Sequence, residues 1–122
     1  MNGISTINYK DKTIIYIDYS ATEGAKEQII QILQDAIVEY QEHPKKSVLS
    51  LVNFTNFRFD NDILYAFKKS REVCDLYEKK TALFGIKGLL KVAYNFVVQL
   101  TQRDSVKLVE TEIEGKEWLV ND

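Results

Sequence analysis

A chain of 122 residues with 45% hydrophobic content fits one globular domain, residues 1–122, large enough to bury a single core and too apolar for intrinsic disorder. Sixteen basic against eighteen acidic residues leave a net charge of −2, which argues against nucleic-acid binding through an overall positive field and leaves only a local patch. The one cysteine, Cys74, has no internal disulfide partner, no apolar run approaches the roughly 20 residues of a membrane span, and MNGISTINYK lacks the charged and apolar regions of a signal peptide. A reduced, cytoplasmic protein without a membrane span is the expectation.

Ile4 to Tyr9 and Thr13 to Asp18 are β-rich runs joined by the polar connection Lys10-Asp11-Lys12, which predicts a hairpin. Ile7 and Tyr9 alternate as in an edge strand with one wet face, whereas Thr13 to Ile17 reads as a strand covered on both faces. Ser20 and Thr22 are candidate N-caps, and Ser20 with Glu23 has capping-box spacing. A helix is therefore expected to about Glu42, with Ile29, Leu33, Ala36, Ile37 and Tyr40 inward and His43-Pro44 ending it. Val48 to Val52 is the third strand, followed by a polar and aromatic loop from Asn53 to Phe59. Asp60 or Asn61 caps a second helix reaching about Lys79, burying Ile63, Phe67, Ser70, Cys74 and Tyr77, with Lys68–Glu72, Arg71–Asp75 and Asp75–Lys79 as i,i+4 pairs on its exposed side.

Thr81 to Phe84 has the length and apolar content of a buried strand, Gly85 to Gly88 is a turn, and Leu89 to Leu100 repeats at helical spacing. A strand, a glycine-bounded turn and an apolar helix make half of a βαβ unit, so the sheet should be largely parallel. Arg103 to Ser105 is a turn, Val106 to Glu110 a last strand, and Thr111 with Glu114 a capping box before a helix carrying Trp118 and Leu119. The order β-β-α-β-α-β-α-β-α predicts an α/β domain: a five-stranded mixed sheet, an N-terminal β-hairpin, then repeating αβ units with four helices and right-handed crossovers.

In such a sheet ligands gather beyond the carboxyl ends of the strands. That rim is expected to hold Asp18, Tyr19, Ser20, Asn53, Phe54, Thr55, Asn56, Gly85, Ile86, Lys87 and Gly88, with Phe57 beside Phe54 as a further apolar wall. His43 falls at the opposite end, which takes the commonest general base away from the rim and reads as a solvated loop residue. Cys74 on an inward stripe behaves as a small hydrophobe, and Asp60-Asn61-Asp62 lacks the ligands of a calcium loop, so neither metal nor cofactor is expected. Gly85 to Gly88 with Lys91 has the amides and charge to hold an anion, but it is neither a P-loop nor a dinucleotide fingerprint, and a tight turn is the plainer account. The Leu89–Leu100 helix carries a second apolar stripe, Leu90, Tyr94 and Val98, either covered by the C-terminal helix or serving as the contact of a homodimer.

The order of elements, with Tyr16-Ile17-Asp18-Tyr19-Ser20, Val48 to Asn53, Ala82 to Gly88 and Trp118-Leu119, resembles the STAS family, the fold of bacterial anti-sigma-factor antagonists. The finer likeness is to small stand-alone bacterial relatives grouped with both STAS and CRAL-TRIO lipid-carrier domains. The resemblance implies a STAS-like fold and a non-catalytic binding or regulatory module acting by protein association. Phosphorylated members of the family carry a Ser or Thr at the start of the helix after the third strand, whereas Phe59-Asp60-Asn61-Asp62-Ile63 has no hydroxyl, so the phospho-switch is not expected to carry over. The alternative is a carrier or sensor of a small apolar or anionic ligand, walled by Tyr19, Phe54, Phe57 and Ile86 with Lys87 as charge anchor. An enzyme would have to work through Asp18, Tyr19 or Lys87, whose spacing does not demand it. A ligand-sized pocket at the strand ends would favour carriage, and a filled rim would favour association.

Overall fold

A computed structural model of the chain describes residues 3–22, 25–57, 60–86, 95–96, 98–99 and 102–121. Strands β1 (Ile4–Tyr9) and β2 (Lys12–Asp18) form the predicted hairpin, with Ile4 opposite Ile17 and Tyr9 opposite Lys12. The loop is Lys10-Asp11 alone, with φ of 50° and 66°. Two successive residues at positive φ give the type I′ turn, whose twist matches that of the strands it joins. Lys12, expected in the turn, therefore belongs to the ladder.

Strands β2, β3 (Val48–Asn53), β4 (Glu78–Phe84) and β5 (Val106–Leu108) run parallel, and the sheet order is β1-β2-β3-β4-β5. Each crossover therefore steps one strand along without reversal, and crossovers of one hand lay their helices on one face. Helices α1 (Lys26–Gln41) and α2 (Asn61–Tyr77) pack there on Ile15, Ile17, Val48, Val52 and Leu83, joined by Phe96. The C-terminal helix α3 (Glu112–Val120) covers the other face, where Leu119 meets Ile14, Leu49, Leu51, Ala82 and Phe84. With both faces covered, Val48 to Val52 is buried throughout, as its unbroken apolar run except Ser50 requires. No helix of the described residues is long and apolar enough to cross a membrane.

Several boundaries differ from expectation for local reasons. Ser20 and Thr22 do not cap α1. They form a 3-10 turn in which the Thr22 hydroxyl donates to the Tyr19 carbonyl at 2.8 Å, and α1 starts at Lys26 behind Ala25, which supplies no capping oxygen. Helix α2 stops at Tyr77 because Glu78, at φ −71° and ψ 128°, is already extended and opens β4 ahead of the expected Thr81. Asp75 consequently pairs with Arg71 at 2.6 Å and with Arg103, not with Lys79 as expected. The caps at Asp60, which accepts the Ile63 amide at 2.8 Å, and Thr111, which accepts the Glu114 amide at 3.2 Å, are as predicted. The last strand ends at Leu108. Most of the expected Leu89–Leu100 helix lies outside the described residues, although Asn95, Phe96, Val98 and Gln99 have helical backbone.

Gly85 closes β4 at φ +82°, and a Cβ there would lie 2.4 Å from Thr55 Oγ1 and 2.7 Å from the Thr55 backbone nitrogen. Conformation and space both demand glycine. Gly85→Ala is expected to destabilise the fold by roughly 1–3 kcal/mol. The measure is the urea midpoint at constant slope, and an unchanged midpoint would show that the loops after β3 and β4 do not approach this closely.

Candidate strand-end site and the polar cluster beneath it

The carboxyl ends of β2, β3 and β4 meet at one rim. The Asp18 carboxylate accepts the Ser20 amide at 2.8 Å and Asn53 Oδ1 accepts the Thr55 amide at 2.9 Å, two Asx turns that fold the chain over the strand ends. The Tyr19 amide donates to the Asn53 carbonyl at 3.0 Å and the Phe54 amide to the Phe84 carbonyl at 2.9 Å, which extends the ladder past the strands. Asp18, Tyr19, Ser20, Asn53, Phe54, Thr55 and Gly85 are thereby brought together. Lys87 and Gly88 lie outside the described residues, as do Leu90 and Tyr94 of the expected dimer stripe; Val98 is half-buried.

The aromatic members of the rim point inward. Tyr19 stacks on Phe54 with ring centroids 5.4 Å apart, and Phe57 meets Tyr19 edge-on at 5.3 Å and Phe54 at 5.0 Å. Phe67 of α2 closes the group at 5.5 Å from Tyr19 and 5.8 Å from Phe57. Each such pair is worth about 0.5–1.5 kcal/mol beyond the area it buries. Tyr19 is 1% exposed, and burial pushes its phenol pKa up. Ile86, half-buried, packs on the same core.

Beneath this cluster, between the sheet and the helices, lies a cavity of about 50 Å³. That is room for a water or two and not for an organic ligand. Tyr19, Phe54, Phe67 and Phe96 line it toward the rim, and Tyr40, Arg71, Cys74 and Glu78 toward the start of β4. Glu78 accepts the Tyr40 hydroxyl at 3.0 Å and a fork from Arg71 at 2.5 and 3.4 Å. Arg71 also donates to Asp75 at 2.6 Å, and Arg103 holds the other Asp75 oxygen. The Ser50 and Thr81 hydroxyls pair nearby at 2.8 Å. Arg71 Nε is buried and has no hydrogen-bond partner among the described residues.

The electrostatics follow from this enclosure. Burial works against the Arg71 charge, but Glu78, by charge and by hydrogen bond, holds the guanidinium pKa above its ordinary value. Burial, and then the Glu78 charge, raise the Tyr40 phenol well above its usual range and push the Cys74 thiol up to about 12. Buried among core side chains, such a thiol is poorly reactive, in keeping with the core role expected for it. His43 sits at the opposite end of the sheet, its Nε2 3.4 Å from Glu39 Oε2. Among the described residues no group of His, Cys, Asp or Glu is arranged to hold a metal ion.

Arg71 and Glu78 escape a reading of the sequence. Helical spacing places Arg71 beside Asp75 on an outer face and carries the helix through Glu78, because no glycine, proline or turn residue marks the junction of α2 with β4. The only local sign is an acidic residue directly before a strand, which is too common to point anywhere. No protein-family model, curated protein or solved structure matches the chain.

The Arg71 and Glu78 side chains are 17% and 5% exposed, so removing one partner strands a charge away from water. Glu78→Leu is expected to lower stability by about 3–5 kcal/mol, and adding Arg71→Met to recover most of that loss. A double-mutant cycle by urea unfolding measures the coupling, and simply additive losses would show that the two charges act independently.

Asp75 supplies a pH test. Burial opposes its ionisation, but the Arg103 hydrogen bond and the Arg71 charge outweigh burial and hold its carboxyl below the usual value. A depressed folded pKa gives a contribution fully present above the unfolded value of about 3.9 and lost as the pH falls through the lower folded value. Stability should therefore decline on acidification below about pH 4, and Arg103→Ala should lessen the part of that decline due to Asp75. Urea midpoints at stepped pH test this, and an identical acid limb in the variant would remove Asp75 as a source.

Proposed function

We propose that this chain is a non-catalytic binding or regulatory module that acts by association with another protein, built on a STAS-like α/β fold without a phosphorylatable serine. The observation that carries this reading is the filled rim. Tyr19, Phe54, Phe57 and Phe67 occupy the volume at the strand ends that a ligand would need, and the space beneath them is about 50 Å³. With its interior packed, the molecule presents its outer surface to other molecules. The hairpin followed by αβ units in sequential strand order supports the STAS-like reading. The first turn of α2, where Asp60 caps the helix and faces Lys26 at 3.2 Å, departs from the phosphorylated members in having no hydroxyl, which supports a module without their phospho-switch.

A larger open groove of about 660 Å³ lies beside the end of β2, lined by Gly3, Asp18, Thr22, Gln31, Ile32 and Asp35. Its two carboxylates repel an anion, so the carriage it accommodates is that of an apolar or neutral ligand, which is the second reading. Native mass spectrometry of the purified protein separates the readings. Association predicts chain masses or their multiples without a bound organic molecule. A small molecule retained through gentle ionisation, and lost on unfolding, would replace association with carriage.

A further inference from the structure

We infer that the outer edge of β1 is a self-association surface whose occupant is the same edge of a second copy of this chain. This rests on the association reading and gives it a surface. The Asp18 amide donates to the Gly3 carbonyl at 2.7 Å, which makes Gly3 and Asp18 a hydrogen-bonded antiparallel pair. With Ile4 opposite Ile17, residues at odd positions of β1 face β2, and Ile4, Thr6 and Asn8 direct their main-chain N–H and C=O groups outward. Among the described residues no strand lies beyond β1. Ser5, Thr6 and Asn8 are exposed, while the Ile4 side chain is buried under α1 and fixes the strand from below.

The two edges of the sheet are treated differently. Edges are commonly blunted by shortness, charge, proline or a bulge. Strand β5 is three residues long and carries Lys107 at its centre. Strand β1 is six residues, Ile-Ser-Thr-Ile-Asn-Tyr, with no charge and no proline, and its register with β2 runs without a bulge. One edge is protected, and the other is left as a straight row of donors and acceptors.

That row is self-complementary. A two-fold axis at Thr6 sets Thr6 opposite Thr6 of the partner subunit and Ile4 opposite Asn8 of the partner subunit. These are hydrogen-bonded positions of an antiparallel pair, so every outward N–H and C=O of Ile4, Thr6 and Asn8 finds a mate. A shift of register by two residues either way leaves one of these residues without its counterpart. Facing threonines are a favourable cross-strand pair, and no charge between Ile4 and Tyr9 meets a like charge. The product is a single sheet running through both subunits.

Sedimentation velocity and backbone amide exchange on the full chain test this. The expected result is a concentration-dependent dimer in which the Ile4, Thr6 and Asn8 amides exchange more slowly than in the dilute monomer, while Ser5 and Ile7, already in the ladder, change little. Thr6→Pro deletes the central outward donor and Thr6→Lys sets two ammonium groups face to face. Each should raise the dissociation constant by about tenfold or more, the equivalent of 1.4 kcal/mol. Circular dichroism should leave the monomer fold intact, since the Thr6 side chain is exposed. A monomer at every concentration up to millimolar overturns the inference. A dimer with fast exchange at Ile4, Thr6 and Asn8 that tolerates Thr6→Lys overturns this surface and leaves protein association as the function. A retained small molecule in the native spectrum defeats the association reading itself.

Discussion

The sequential order of the parallel strands governs the rest of the molecule. In a doubly wound sheet the strand order reverses, the connections on either side of that point leave toward opposite faces, and the gap between them is where ligands bind. Here the order β1-β2-β3-β4-β5 does not reverse. The connections after β2 and β3 turn toward one face, the one that carries α1 and α2, and fold over each other. Tyr19 and Phe54, each one residue beyond its strand, and Phe57 are thus directed into a shared volume with Phe67, and close it. The opposite face is left to α3, whose nine residues lie over the middle of the sheet.

The junction of α2 with β4 is held by interactions that are remote in sequence. A helix leaves its last carbonyls without partners, and a glycine turn commonly supplies them. Here the chain goes from Tyr77 to the strand residue Glu78 directly, and partners come from the connection between α1 and β3: the Lys46 amide donates to the Leu76 carbonyl at 3.1 Å and its ammonium to the Asp75 carbonyl at 2.5 Å. Arg71 then ties the last turns of the helix to the first residue of the strand through Glu78, and Tyr40 ties the same carboxylate to α1. A buried ion pair of this kind contributes modest net stability compared with apolar packing, but it strongly disfavours arrangements in which either charge is buried alone. We read it as fixing where α2 stops and β4 starts, a position that the local sequence leaves unspecified.

The same contrast explains what the sequence reveals. Elements whose cause is local are legible: the hairpin, the β3 run, the α1 stripe, and the caps at Asp60 and Thr111 each follow from neighbours within a few positions. Features whose cause is tertiary are not. Thr22 has the chemistry of a cap, but its hydroxyl bonds the Tyr19 carbonyl within a turn set by strand β2. Topology correctly assembles the rim from Asp18 to Gly85, yet it says nothing of where the aromatic rings point. Their direction was latent in strand parity: Ile15 and Ile17 face α1 and α2, and Tyr19 continues that alternation past the strand end. Treating Tyr19 as loop discards the period that would have placed it in the core.

Under the proposed association reading, recognition falls to the exterior, and there the rigidity of a surface matters as much as its chemistry. Ordering a loose segment on binding opposes association by about 0.5–1.5 kcal/mol for each side chain immobilised. Strand β1 is already ordered at both ends. At its start Gly3 bonds Asp18 and Ile4 is buried; at its end the Tyr9 hydroxyl donates to Glu117 at 2.6 Å and the Lys10 ammonium reaches the same carboxylate at 2.7 Å. The Lys10–Glu117 contact is exposed and worth little as a source of stability. Its effect is geometric, because it fastens the tip of the hairpin to α3, an element that packs on β3 and β4 through Leu119. The outer side of β1, which pairs with no strand among the described residues, is therefore held in an extended form by contacts made on the strand's other side and at its ends.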